Sequence, residues 1–369
     1  MADKGSNEKP AQIDFTVGDG NLPNDSVQVM KFSPANSQHL AVGSWDETVR
    51  VYSLNYQPPQ KNLTQLAVTQ AGGPVLDLCW IMNGQAIAFV TGSPNNNIMM
   101  WNLATPTSPA VEIGQHPGVL AIAFIQAGNF QILLTLGINK ELNCWIHNGQ
   151  KFEKKLTIPF KKIPSCMDVD LSSSLIVFGV EQDIAFYRLD NLMTGNTEVH
   201  YVDLLLKSPV NVVKIRDKPE EDDVAFNNNE RIVTACGSDG RVYVGKFNLK
   251  NFAKDDLILF KAHSKKDNLY PVNAAGFSKL TWYSMYTAST DGNFYFWDIK
   301  AKNKLTVYTM TENNPITAAD LSPNHKFFAF AIGYDWSMGA WGTIKYKVRP
   351  QIFIQELTER DHKREDNKK

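Results

Sequence analysis

SVQVMKFSPANSQHLAVGSWDETVRVYSL, residues 26–54, contains the plan of the whole chain. VQVMKF alternates apolar and polar residues and ends in a polar stretch around Pro34 and Asn36. LAVG is a second apolar run, SWDE makes a tight turn, and VRVYSL alternates again. Period-two alternation with β-branched and aromatic residues predicts three strands joined by turns. In the second turn Asp46 either does chemistry or accepts hydrogen bonds from backbone N–H groups, as Asx side chains do in turns. Repetition decides between the two.

The same plan recurs in GPVLDLCWIMNGQAIAFVTGSPNNNIMMWNL (73–103), PGVLAIAFIQAGNFQILLTLGINKELNCWIHN (117–148) and PSCMDVDLSSSLIVFGVEQDIAFYRLDN (164–191). It returns in SPVNVVKI (208–215) with ERIVTACGSDGRVYVGKFNL (230–249), and in YPVNAAGFSKLTWYSMYTASTDGNFYFWDIK (270–300). NPITAADLSPNHKFFAFAIGYDWSMG (314–339) with QIFIQEL (351–357) is the seventh copy. The first apolar anchors are Val27, Val75, Val119, Cys166, Val210, Val272 and Ile316, at steps of 48, 44, 47, 44, 62 and 44 residues. The long step holds an acidic insertion, DKPEEDDVAFNNNE (217–230), and a second stretch, AHSKKDNLY (262–270). Connecting segments such as LTQLAVTQ, KLTIP and KLTVYTM supply a fourth strand. No segment has a long helical pattern. Four-stranded units repeating every ~40–45 residues are the signature of WD-repeat blades. The expectation is an all-β, seven-bladed WD-repeat β-propeller in one domain, residues 12–357. A lone blade cannot bury both faces, whereas radial stacking covers them and ring closure protects the ends. QIDFTV (12–17) is expected to close the ring by pairing in the last blade. Residues 1–11 read as a flexible N-terminus and 358–369, TERDHKREDNKK, as a charged flexible tail.

Asp46, Asp239 and Asp291 recur at corresponding turns, so Asp46 reads as a turn holder. The aromatics Tyr52, Trp101, Trp145, Tyr187, Phe247 and Trp297 each end a third strand and are expected to pack between blades. His116 and His263 precede a blade's first strand and read as residues that bond within the blade.

The rest of the chain offers little chemistry. There is no G-x-x-x-x-G-K-[ST], no G-x-G-x-x-G after a strand and no H-E-x-x-H. No Cys/His spacing suits zinc. The reading is a non-enzyme with no cofactor, no metal and no small-molecule substrate. Cys79, Cys144, Cys166 and Cys236 lie in apolar runs without a C-x-x-C pair and read as buried hydrophobes of a reducing compartment. The polar start and the absence of a long apolar run predict neither a signal peptide nor membrane insertion. The sequons at Asn24 and Asn62 are accordingly not expected to be glycosylated. A net charge of −1 argues against a whole-chain electrostatic footprint for nucleic acid. Lys161–Lys162 and Lys265–Lys266 are local basic pairs that read as solvated surface. The expected RNA binding is weak, single-stranded and salt-sensitive.

LPNDSVQVMKFSP, GSWDETVR, GPVLDLCW, GSDGRVYV, the FKAH…LYPVNAAGFS run, DGNFYFWD and NPITAADLSPNHKFFAFAIGYDWSMG together resemble the messenger-RNA export propeller family of the nuclear pore. The resemblance covers residues 14–357 and is most specific in blades one, two, five, six and seven. It implies a nuclear adaptor at the pore complex of the nuclear envelope, also found in the cytoplasm, that binds an acidic GLEBS-type nucleoporin peptide on its propeller face. It further implies messenger ribonucleoprotein as cargo. The sister family is the spindle-checkpoint propeller, which binds similar segments in mitotic checkpoint proteins at kinetochores, but the YDWS-x-G string favours the export family. A ubiquitin-ligase substrate receptor is the rival outside both; WDIK at 297–300 has lysine where such receptors carry the arginine of W-D-x-R.

Carried over by matching motif, the resemblance implies Arg241, with Arg50, as the peptide-binding cations. Phe260, Lys261, Trp297, Asp298, Lys302 and Lys304 resemble a second contact region, for nucleic acid or proteins that mimic it. The chain departs from the family in GINKELNCWIHN of the third blade, in the length of the acidic insertion, and at Ile299.

Overall fold

The computed structural model describes residues 7–10, 14–57, 60–92, 96–127, 130–172, 174–204, 206–216, 229–310, 314–337, 339–346 and 348–363. Six four- or five-stranded sheets of consecutive strands and one closing sheet make seven blades. Their inner strands begin at Val27, Val75, Val119, Pro164, Val210, Val272 and Ile316, so only the fourth starts ahead of its expected anchor. The expected outer strands are present as Gln60–Gln70, Phe152–Pro159 and Asn303–Thr309.

The repeat carries a repeated defect. In all seven blades the register between inner and second strand slips just after the first residue, as between Val27 and Val29 or Val272 and Ala274. A bulge adds local twist, here at the same place in every blade. Inner strands contact one another around the ring, including blade seven against blade one. Between blades, Asp320 Oδ2 accepts the Phe32 N–H at 2.7 Å, Asp77 Oδ2 that of Ile122 at 2.9 Å, and Asp168 Oδ2 that of Ile215 at 3.0 Å. Asp168 also holds Lys214 Nζ at 3.0 Å. These aspartates, not singled out in the sequence, staple inner strands together at three of the seven junctions: blades seven and one, two and three, and four and five.

The apolar core is divided among the blade boundaries. Blades seven and one share Phe15, Met30, Tyr52 and Ile354. Blades five and six share Val242, Met285, Tyr295, Trp297 and Ile299. The recurring aromatics are buried at such boundaries, as expected. Ile299, a departure from the family, is part of this core.

Ring closure follows the expectation for QIDFTV within the described residues: Phe15–Thr16 pairs antiparallel with Gln351–Glu356. Asp14 locks it by accepting the Glu356 N–H at 2.7 Å and Lys61 Nζ at 3.0 Å, and Lys61 also reaches Glu356 Oε2 at 2.9 Å.

Four features differ from expectation. Asn7–Pro10 is not free: it pairs in parallel with Thr306–Thr309 on the outer edge of blade six. The C-terminal segment is docked through His362. Thr358 and Asp361 form a capping box at Glu359–His362, Tyr308 Oη donates to Asp361 Oδ1 at 2.8 Å, and Thr281 Oγ1 donates to the His362 carbonyl at 3.1 Å. Two buried side chains anchor a segment whose composition alone reads as solvated. A helix, Gly339–Tyr346, follows the YDWSMG string, and 264–269 contains a small hairpin, Ser264–Lys265 with Asn268–Leu269. Of the acidic insertion, residues 217–228 lie outside the described residues.

Candidate functional site

The turns between second and third strands, and the connections from each outer strand to the next blade, gather on one face, here called upper. The turns of blades one, five and six are each built by an aspartate. Asp46 Oδ1 accepts the Thr48 N–H at 3.2 Å and the Thr48 hydroxyl at 2.6 Å, while Oδ2 accepts the Asn24 N–H at 2.9 Å. Burial would push the Asp46 carboxyl up, but these bonds and Arg50 hold it below its usual value. Asp239 takes the Arg241 N–H at 3.3 Å, and Asp291 that of Asn293 at 3.0 Å.

Behind two of these turns runs a buried relay. In blade six Trp297 Nε1 donates to Thr287 Oγ1 at 2.8 Å, that hydroxyl meets His263 Nε2 at 2.8 Å, and His263 Nδ1 meets Asp291 Oδ1 at 3.1 Å. Blade three repeats it as Trp145, Thr135, His116 and Asn139, with bonds of 3.0, 2.9 and 3.1 Å. The departing string GINKELNCWIHN thus supplies Asn139 where blade six has Asp291. Both histidines are structural, as their position in the sequence implies.

Arg241 stands at the upper end of blade five, bonded to the Asp239 carboxylate and partly exposed. Its cross-strand partner is Lys261, which is exposed. The fold therefore joins two cations that the sequence assigned to different regions. Arg50 differs: it is only 8% exposed and its Nη1 is paired with Asp46 Oδ2 at 2.8 Å. As placed, it braces the first turn instead of facing a partner, and two blades separate it from Arg241 the short way round.

The second region is split by the fold. Trp297 is 2% exposed, with Phe260 half-buried on it at 4.8 Å between ring centroids. Lys304 Nζ lies 4.2 Å from the Tyr295 ring centre and 5.6 Å from that of Trp297. Phe260, Trp297 and Lys304 thus meet along the boundary of blades five and six, but the indole has no open face for stacking. Asp298 is buried and accepts the Ala301 N–H at 2.7 Å, and Lys302 sits exposed in the same turn with φ 57°. That turn is on the lower face, a strand length of roughly 20 Å from Lys261. Trp297 and Asp298 are interior residues, a correction to their assignment as contacts, because the relay and the turn consume their polar atoms.

The upper face holds a funnel of about 1490 Å³ at the mouth of the central channel. Trp45, Tyr270, Tyr334 and Trp336 line it with Asn211, Asn273 and Thr317 from the inner strands. Trp45 is 40% and Trp336 46% exposed. Trp45 is positioned by its Nε1 bond to Gln28 Oε1 at 2.9 Å, and Trp336 by Tyr334, 5.6 Å away ring to ring. Tyr334 is fixed by its hydroxyl on the Gly339 carbonyl at 2.7 Å and by Ser26 Oγ on its own carbonyl at 2.9 Å. Trp45 and Trp336 carry no assigned role in the repeat pattern of the sequence. Their signal is a tryptophan inside a tight turn, GSWD and YDWS, where strand alternation gives it no core to fill.

The thiols do not add chemistry. Burial pushes Cys144 and Cys236 up to about 12 and Cys166 up to about 11, so none of these is a thiolate near neutrality. Among the described residues, no helix is long and apolar enough to cross a membrane.

Comparison with known proteins agrees with this architecture. The family model described as WD domain, G-beta repeat matches residues 19–53. The C-terminal WD40 domain of Sif2 superimposes with a TM-score of 0.61 at 12% identity, covering 95% of this chain and 99% of that one, a likeness of fold alone. Protein Rae1 of Drosophila melanogaster is 30% identical over 355 residues, 93% of each chain. The mRNA export factor rae-1 of Caenorhabditis elegans is 30% identical over 341 residues, 89% of this chain and 85% of that one. The mRNA export factor of Danio rerio is 30% identical over 328 residues, 86% and 83% of the two chains. With seven WD-type blades and this identity along nearly its whole length, the chain belongs to the Rae1 family of mRNA export factors.

Proposed function

We propose that this protein is a non-enzymatic adaptor in messenger-RNA export, which holds an acidic GLEBS-type nucleoporin segment on its upper face at the nuclear pore. The observation that carries the reading is the aromatic funnel beside Arg241 and Lys261. At about 1490 Å³ it exceeds the ~300–1,000 Å³ typical of small-molecule pockets, so a peptide is the better occupant. Apolar side chains of the segment would pack on Trp45, Tyr334 and Trp336, which offer large contact area. Its carboxylates would meet Arg241, whose planar guanidinium can hold a carboxylate through two bonds, and Lys261 beside it. The carboxylate of Asp335 at the funnel is already engaged by Ser337 N and Oγ at 3.1 and 2.7 Å. The relatives named mRNA export factors support the cellular setting, with messenger ribonucleoprotein as the cargo.

The test is fluorescence anisotropy of a labelled acidic GLEBS-type peptide with the wild type, Arg241→Glu and Trp336→Ala. Losing a charge-assisted contact of ~2–3 kcal/mol predicts roughly 30- to 150-fold weaker binding for Arg241→Glu. Binding unchanged in both variants moves the site off this face. No binding by the wild type refutes the adaptor reading.

A further inference from the structure

The connection between the third and outer strands of blade two, residues 103–110, reads LATPTSPA and carries no charged side chain. It lies on the lower face, at the rim of the ring. Within it Thr105 precedes Pro106 and Ser108 precedes Pro109. The chain has six such hydroxyl–proline pairs, at Ser33, Ser93, Thr105, Ser108, Ser208 and Ser322. The fold treats them differently.

Ser33 and Ser322 are buried, and Ser322 Oγ accepts the Phe327 N–H at 2.9 Å and bonds Asn324 Oδ1 at 2.7 Å. Ser208 is half-buried, and its Oγ accepts the Asp239 N–H at 3.3 Å. Ser93 lies outside the described residues. By contrast, Thr105, Pro106, Thr107, Ser108 and Pro109 are all exposed. Among the described residues neither the Thr105 nor the Ser108 hydroxyl has a hydrogen-bond partner. The loop is nonetheless shaped. The Ser108 N–H donates to the Thr105 carbonyl at 2.9 Å, the Trp101 indole N–H to the Pro106 carbonyl at 3.3 Å, and the Ala104 N–H to Asn102 Oδ1 at 2.9 Å. These bonds hold a turn that keeps both residues in solvent, and an exposed turn of this kind opens at low cost.

We propose that Thr105 and Ser108 are a paired phosphorylation site for a proline-directed serine/threonine kinase. Proline has no N–H and holds the residue before it in an extended conformation. A kinase that seats the following residue in a pocket without an acceptor therefore selects proline there, because any other residue would leave a buried N–H unpaired. In the step itself, the Thr105 or Ser108 hydroxyl oxygen bonds to the γ-phosphorus of ATP. The bond from that phosphorus to the bridging oxygen breaks, ADP leaves, and the hydroxyl proton passes to the catalytic aspartate of the kinase. Each phosphate brings about −1.5 to −2 charge, so the pair puts about three to four negative charges on an uncharged loop. The whole chain has a net charge of −1, so the change is large. Both phosphates stand in water, and the mark alters the surface without altering the fold. The rim is on the face opposite the funnel, so the site is independent of peptide docking.

The experiment incubates the full-length protein with a purified cyclin-dependent kinase and, separately, a purified mitogen-activated protein kinase, each with ATP and Mg²⁺. Intact mass and phosphopeptide mapping read the result. The expected product carries two phosphates, on Thr105 and Ser108, and keeps the thermal midpoint of the unmodified protein. Thr105→Ala and Ser108→Ala should each lose one phosphate. Pro106→Ala should lose the phosphate at Thr105, and Pro109→Ala the phosphate at Ser108. No phosphate at either residue with both kinases overturns the proposal. So does modification of Ser33 or Ser322 in their place, because burial would then give no protection. Full modification of both proline variants overturns it as well, since proline would then play no part in recognition.

Discussion

Asp291→Ala tests the claim that the repeated aspartates are built into the fold to different depths. Asp291 is buried, and so is His263. Its Oδ1 takes the Asn293 N–H at 3.0 Å and His263 Nδ1 at 3.1 Å, and its Oδ2 the Tyr295 hydroxyl at 3.5 Å. An ionised carboxylate only accepts, so His263 faces Asp291 with an Nδ1 proton. Alanine strips the acceptor from two buried N–H donors, at about 1–3 kcal/mol each, and from the longer Tyr295 hydroxyl contact. The expected loss is about 3–5 kcal/mol. Asp239→Ala is the control. It removes the same turn bond, but Asp239 is partly exposed and the freed Arg241 groups can reach water, so about 1 kcal/mol is expected. Urea unfolding with unchanged m-values measures both. The pH dependence gives a second reading. Burial would raise the Asp291 carboxyl, but the bond and charge of His263 hold it below 3.8. A depressed carboxyl contributes stability above its unfolded pKa and loses it as pH falls through the folded one. The gap between wild type and Asp291→Ala should therefore narrow in acid, below about pH 3.8. Equal costs for the two variants, or a gap unchanged down to pH 2, would refute the reasoning.

Three further outcomes follow from the same geometry. Ending the chain after Leu357 removes Asp361 from Tyr308 and His362 from Thr281; it should cost about 2–4 kcal/mol in urea, where a free tail would cost nothing. Burial, with His362, Lys279 and Arg216 nearby, lowers His325 from 6.5 to about 4. Its neutral form is needed in the fold, so stability is full above pH 6.5 and falls between 6.5 and about 4, by up to about 3 kcal/mol, a slope His325→Asn should flatten in pH-dependent unfolding. Gly240→Ala places a Cβ 2.5 Å from the His263 carbonyl oxygen and 2.7 Å from that of Tyr270, at φ 71°. Neither backbone atom can yield cheaply, so a loss of about 2 kcal/mol or more is expected by thermal or urea unfolding, together with weaker peptide binding beside Arg241.

The sequence by itself determined the blades, their number, the ring closure by the N-terminal strand and the structural roles of Asp46, Asp291, His116 and His263. The blades rest on a local pattern repeated seven times and the turn residues on one repeated in fewer blades, and alternation, turn chemistry and period are properties of neighbouring residues. Only the tertiary structure decided which side chains face a partner. Trp297 and Trp336 are both tryptophans in family-like strings, yet one closes a buried relay and the other stands in the funnel, because burial depends on the neighbouring blade. Arg50 and Arg241 follow equivalent turns and both bind their turn's aspartate, but the first is buried and the second is partly exposed beside Lys261. The docked tail exists because Asp361 and His362 find Tyr308, Thr281 and His325 across the fold. Contacts between residues distant in the chain have no period to read, so they emerge only when the ring closes.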